Sequence, residues 1–245
     1  MLALPLAGFS MVAIPSTSLT SEETPMTYSH LDHITTEYDA EFAKIPDLKW
    51  DPVVGKNYRK TRIMIMGTHT SWEDRDDERD TTRQIVFHDE DEHKAFKVTV
   101  QMFLEEAGIE YNEQNRHLFW SSVAFNNFIQ GSVSDRNPPE QEVDDMTPAS
   151  VSAYTSTVEA IKPDLVIFWS NDLYKYQLAE GEIVEYPEIG RTKPRVALEK
   201  PPIVGIYHPA HPFSPPAWMH FLKTCEHTKP HIERFLAYLK ETASR

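Results

Sequence analysis

The sequence predicts an α/β fold: a three-layer α/β/α sandwich around a central, mostly parallel four-stranded sheet. Three observations carry that reading. Short, nearly continuous apolar runs recur along the chain, which is the pattern of strands buried on both faces. Segments whose apolar residues recur at three and four lie between them, and such alternation calls for a sheet covered by helices on each side. The hydrophobic share of 40% and aromatic share of 11% over 245 residues suffice for a substantial core.

The elements follow in order. Residues 1–28 open apolar and turn polar, with no basic residue before Lys44 and with prolines in the apolar part, unlike a secretory signal. They are expected to be a disordered or loosely docked extension, or to result from a start codon placed ahead of Met26; one domain is expected over 29–245. From Ser29 to Ile45, the spacing of Leu31, Ile34, Tyr38, Phe42 and Ile45 predicts a helix. A Pro- and Gly-punctuated connector leads to "TRIMIMG" (Thr61 to Gly67), the first strand. His93 to Ala107 reads as a helix stopped by Gly108. "WSSVAFNNFIQ" (Trp120 to Gln130) is the second strand, followed by a polar loop through Asp145. Thr147-Pro148 is expected to start a helix with a hydroxyl cap, ending before Pro163. "DLVIFW" (Asp164 to Trp169) is the third strand, with Asn171-Asp172 able to start a helix, and "PIVGIY" (Pro202 to Tyr207) is the fourth. One long helix, or two parted near Pro230, closes the chain on Ile232, Phe235, Leu236 and Leu239.

Composition narrows the function classes. Cys225 is the only cysteine, so no internal disulfide, four-cysteine zinc site or four-cysteine iron–sulfur cluster can form, in keeping with a cytoplasmic setting. The formal net charge of -14 argues against broad nucleic-acid adhesion, though not against a local groove. Much of the excess lies in Glu73 to Asp80 and Asp89 to Glu92, read mainly as solvated surface. No apolar run reaches the length of a membrane span, so no membrane partner is expected, nor an obligate protein partner.

In open parallel sheets, ligands bind at the carboxyl ends of the strands. Those ends carry "GTHTSWED", "NNFIQ", "SND" and "HPAHPFSP", which are expected to converge on one crevice. In the last, His208 and His211 each precede a proline; proline fixes φ and restricts its predecessor, so this turn is stiff.

In this order the four segments resemble the uracil-DNA glycosylase superfamily. Gly67-Thr68-His69-Thr70-Ser71-Trp72 stands where that family has a glycine-led turn such as GQDPYH, GINPG or GEAPG. His208-Pro209-Ala210-His211-Pro212 is similar to its HPSP-type segment, and "KPDLVIFWSNDL" to its proline-led strand; the likeness runs from about Trp50 to Lys223. The resemblance implies a glycosylase-like domain that binds DNA, flips a damaged or modified nucleotide out of the stack and hydrolyses its N-glycosidic bond, with no cofactor and no metal. By the same resemblance His208 is the donor to the departing base, and Asn127 reads the base edge, with Asn126 exchanging roles if the register slips by one. The first motif lacks the Asp, Asn or Glu that the known branches use to activate water. His69, Asp74 and Glu73 are the three open candidates for that task.

Ser71 stands where the uracil-specific branch has a tyrosine that crowds carbon 5 of the base. A smaller residue there relieves the pocket, which points to a 5-substituted pyrimidine and tilts the expected role from base-excision repair toward restriction of foreign phage DNA. Trp72 and Phe128 are the stacking candidates, although an aromatic beside a strand is more often core; His211, Ser214, Lys56 and Asn57 are the candidate DNA contacts. Three other readings stay open: a metal-dependent hydrolase built on His69, Asp74, His208 and His211; a glycosylase-like module that binds DNA or protein without catalysis; and an N-glycosidase acting on free nucleosides.

Overall fold

A computed structural model describes residues 32–71, 94–134 and 139–245, apart from positions 174, 177, 179, 180, 191, 210, 212 and 213. The fold is α/β. Its main sheet is mixed and has seven strands where four were expected. The four apolar runs form its centre: β2 (Ile63–Gly67) lies between β4 (Ala124–Asn127) and β6 (Leu165–Phe168), and β9 (Ile203–Gly205) follows β6, all as parallel neighbours. The added strands are antiparallel and short. β1 (Val53–Val54) borders β4, and the hairpin of β7 (Ile183–Glu185) and β8 (Arg195–Ala197) borders β9. Strands of two or three residues leave too little pattern to detect in sequence. A separate pair, β3 (Thr70–Ser71) and β5 (Ser132–Val133), runs parallel beyond the ends of β2 and β4.

Both faces of the sheet are covered. Ile63, Ile65, Phe125, Ile167 and Val204 point to one side, against α3 (Lys94–Ala107), α4 (Glu113–Trp120), α6 (Pro215–Thr224) and α7 (Lys229–Ala243). There Phe103, Phe119 and Phe235 meet with ring centroids 5.3–5.6 Å apart; full burial of each such ring is worth about 1.5–3 kcal/mol. Met64, Met66, Ala124, Val166 and Phe168 point to the other side, against α1 (Asp39–Phe42) and α5 (Glu140–Ile161). α2 (Tyr58–Thr61) is a single turn between β1 and β2.

Several elements differ from expectation. Of the helix expected over 29–45, the described part contains only the single turn α1. Ile34 instead bridges Gly55 beside β1, and it packs on one face of the sheet while Phe42 packs on the other, which no single helical stripe can do. α4 takes in Trp120, so the second strand begins at Ala124. α5 starts at Glu140, seven residues early in place of the expected loop, and carries Pro148 in its interior; Thr147 is no cap, its hydroxyl donating to the Val143 carbonyl at 2.8 Å. No helix follows Asn171-Asp172 among the described residues, which form turns there. Others match: α3 ends at Gly108 (φ 69), where the Gly108 and Ile109 amides donate to Glu105 and Leu104 in a Schellman closure. The C-terminal helix is indeed two, parted at Cys225–Thr228, with Pro230 in the first turn of the second.

Candidate functional site

The carboxyl ends of the four parallel strands are tied together by the backbone. The Phe128 and Ile129 amides donate to Gly67 and Thr68 at 2.9 and 2.8 Å, the Trp169 amide to Met66 at 2.8 Å, and the Ile206 amide to Phe168 at 2.9 Å. These bonds carry the ladder past the strand ends and fix where the following side chains begin.

At Gly67 a Cβ would lie 2.2 Å from Asn127 Oδ1 and 3.5 Å from Phe125 Cζ, so any larger residue would push the Asn127 side chain aside. The half-buried Asn127 amide therefore lies directly over the turn that leads to His69. Asn126, 4% exposed, points to the opposite face, and its Oδ1 accepts the Asn127 amide at 2.9 Å. Asn127 is held from behind by the buried Gln130, whose Nε2 donates to the Asn127 carbonyl at 2.7 Å and whose Oε1 accepts the Lys49 and Trp50 amides, both at 3.1 Å. Sequence reasoning missed Gln130; an amide at the end of an apolar strand, with no charge nearby to explain it, was the available signal.

His208 starts a tight turn in which the His211 amide donates back to its carbonyl at 3.0 Å. Its ring meets Trp169 nearly edge-on at 5.8 Å and His211 at 5.6 Å. Burial, reinforced by the nearby His211 and His69, pushes the His208 imidazole down to about 4. It is a neutral ring at physiological pH, carrying one N–H donor and one acceptor. His69 is also lowered, chiefly by burial; the Glu142 carboxylate opposes that shift and Lys175 adds to it. His69 Nδ1 and Trp169 Nε1 are buried with no hydrogen-bond partner among the described residues, a costly condition for polar atoms. Two neutral imidazoles, an amide and an indole thus share this edge, an arrangement able to donate to and accept from an uncharged heterocycle.

The other sequence-predicted residues divide. His211 and Ser214 are exposed and lie on the same C-terminal segment as His208. Ser214 precedes α6, whose first two residues are prolines without N–H groups, so this helix start is a poor phosphate cradle. Ser71 pairs through its backbone with Val133 in β3 and β5. Trp72, Glu73 and Asp74 lie outside the described residues. Phe128 is a core ring, 1% exposed and packed edge-on against Phe168 and Tyr176, so its faces are not open to a base. Alternation explains this: two residues past Asn126, it falls on the α5 side. Lys56 and Asn57 sit at the amino ends of the strands, beside Asp32 and Ser121, a sheet's length from His208. Among the described residues no group of three His, Cys, Asp or Glu is arranged to hold a metal ion, and no helix is long and apolar enough to cross a membrane.

Phe96 on α3 also belongs to this region. Partly buried, it packs against Phe125 at 4.9 Å and Trp169 at 5.0 Å, joining α3 to the aromatic wall behind His208. No protein-family model matches the chain, and no curated protein does so either.

Proposed function

We propose that the chain is a divergent member of the uracil-DNA glycosylase superfamily. It would hydrolyse the N-glycosidic bond of a flipped-out, 5-substituted pyrimidine in DNA, leave an abasic site and work in the cytoplasm without a metal. The observation that carries this reading is the neutral His208 imidazole on a proline-stiffened turn, sharing the carboxyl edge of the sheet with His69 and Asn127. The order of the four parallel strands and the segments at their ends supports the finer assignment to that superfamily.

In this mechanism the bond between the sugar and the base nitrogen breaks with its electron pair leaving on the base, while the sugar passes through an oxocarbenium-like state and takes up water. A neutral imidazole N–H suits the developing negative charge on the base oxygen, because it donates without having to give up a proton. Asn127, with a donor and an acceptor on one amide, suits the base edge. His69, kept neutral, can accept the proton that the attacking water loses; Glu73 and Asp74 remain alternatives for that step.

The test is a panel of oligonucleotides, single- and double-stranded, carrying uracil or 5-substituted pyrimidines, with matching free nucleosides. Each is incubated with wild type and His208→Ala in EDTA, then treated with alkali to cut abasic products, and free base is measured directly. Excision of 5-substituted bases, lowered about 10²–10³-fold by His208→Ala, is expected. Efficient excision of uracil alone removes the 5-substituted substrate. No abasic product from any oligonucleotide, or activity abolished by EDTA, overturns the proposal in favour of a binding module or a metal-dependent hydrolase. Base release from free nucleosides only would move the activity to that class.

A further inference from the structure

At the opposite, amino edge of the sheet lies a cavity of about 530 Å³, within the range of about 300–1,000 Å³ common to small-molecule sites. The last turn of α5, Pro163 and the approach to β6, Lys200-Pro201-Pro202, and His231 from the first turn of α7 line it, and it is open to solvent. The walls are stiff. Three prolines line them, and the backbone is pinned where the Val166 amide donates to Pro202 at 3.0 Å and the Asp164 amide to Arg62 at 2.7 Å.

Charge around the cavity runs against that of the whole chain. Asp164 is gripped by two guanidiniums, with Arg234 Nη2 at 2.7 Å and Arg62 Nε at 3.3 Å, so its negative charge is spent. Lys162 and Lys200 are exposed at the rim, and no carboxylate among the described residues pairs with either. The lining itself sets Lys162 and Lys200 against Glu159 and Asp164, and it is Arg62 and Arg234, paired with Asp164 from outside the lining, that tip the local balance positive in a chain of net charge -14. Within the wall, His231 Nδ1 is buried and has no hydrogen-bond partner among the described residues. Burial, with Arg234 adding to it and Asp164 opposing, lowers the His231 imidazole and favours its neutral form. The ring as a whole is only half-buried, so its other nitrogen is the one a ligand in the cavity can reach.

We propose that this cavity binds a small organic anion: a planar body resting on Pro163, Pro201 and Pro202, a carboxylate or phosphate at Lys162 and Lys200, and a polar edge on the His231 imidazole. Nucleoside monophosphates and aromatic carboxylates share that chemistry. The site is a sheet's length from His208 and does not depend on the glycosidase reading.

The full chain is titrated by calorimetry and saturation-transfer NMR with uridine monophosphate, adenosine monophosphate, benzoate and inorganic phosphate. At least one ring-bearing anion is expected to saturate with a Kd below about 1 mM, at least tenfold tighter than inorganic phosphate; which one does so tells nucleotide from carboxylate. The double variant Lys162→Asn/Lys200→Ser, at exposed positions and with an asparagine that tolerates the left-handed backbone at 162, is expected to weaken binding at least tenfold. His231→Leu is expected to do the same, and His208→Asn to leave binding unchanged. No saturable binding of any ring-bearing anion, no preference over inorganic phosphate, unchanged affinity in either amino-edge variant, or binding lost with His208→Asn overturns the proposal.

Discussion

His208 carries the sharpest consequence at the scale of single residues. Its folded imidazole lies near 4 against an ordinary 6.5. Below pH 6.5 the unfolded chain takes up a proton that the folded chain refuses until about pH 4. Its contribution to stability is therefore complete above pH 6.5 and shrinks as pH falls through that window, by up to about 3 kcal/mol. Urea unfolding at pH 7.5 and pH 4.5 checks this: His208→Asn should lose less stability than wild type between the two by most of that amount. Equal losses would mean the ring is not held neutral. The residue scale is also where the sequence was read unevenly. The rule that ligands meet the carboxyl ends of parallel strands suffices to bring His69, Asn127 and His208 to one edge. It says nothing of Lys56 and Asn57, whose polarity suited a phosphate but whose place before β2 puts them at the far end of the sheet.

Among the elements, legibility followed burial. β2, β6 and β9 lie inside the sheet and are buried along their length, so each printed a continuous apolar run. β7 and β8 pair at its edge through Ile183 with Ala197, Val184 with Val196 and Glu185 with Arg195, too brief and mixed a pattern to separate from loop. α5 was misread for a different reason. Proline at a helix start is so common that Pro148 reads as one in the sequence, whereas the chain accepts it mid-helix because Pro148 and Asp144, whose carbonyl it leaves without the usual N–H, are both exposed. That tolerance has a cost. Pro148→Ala should stabilise the protein by about 1–3 kcal/mol, read as a higher urea midpoint at unchanged slope. A variant no more stable than wild type would show that the proline already fits its helix without strain.

Across the whole molecule the charge of -14 has to be reconciled with any nucleic-acid partner. Most described ion pairs are exposed, such as Lys44 with Glu41 and Lys229 with Glu233, and add little individually. Self-repulsion among the surplus carboxylates is the larger electrostatic effect, and salt screens it. Raising sodium chloride from about 10 to 200 mM should therefore raise Tm at pH 7.5, by scanning fluorimetry, by a few degrees. A fall would mean that the ion pairs outweigh the repulsion.

Gln130 ties these scales together. One buried amide grips the backbone at Lys49 and Trp50 with its oxygen and the carbonyl of Asn127 with its nitrogen. It works as a rivet through two stretches of chain some eighty residues apart. A disturbance at the front segment is thereby passed to the asparagine above the turn to His69, so damage far from that edge in sequence can still misalign it.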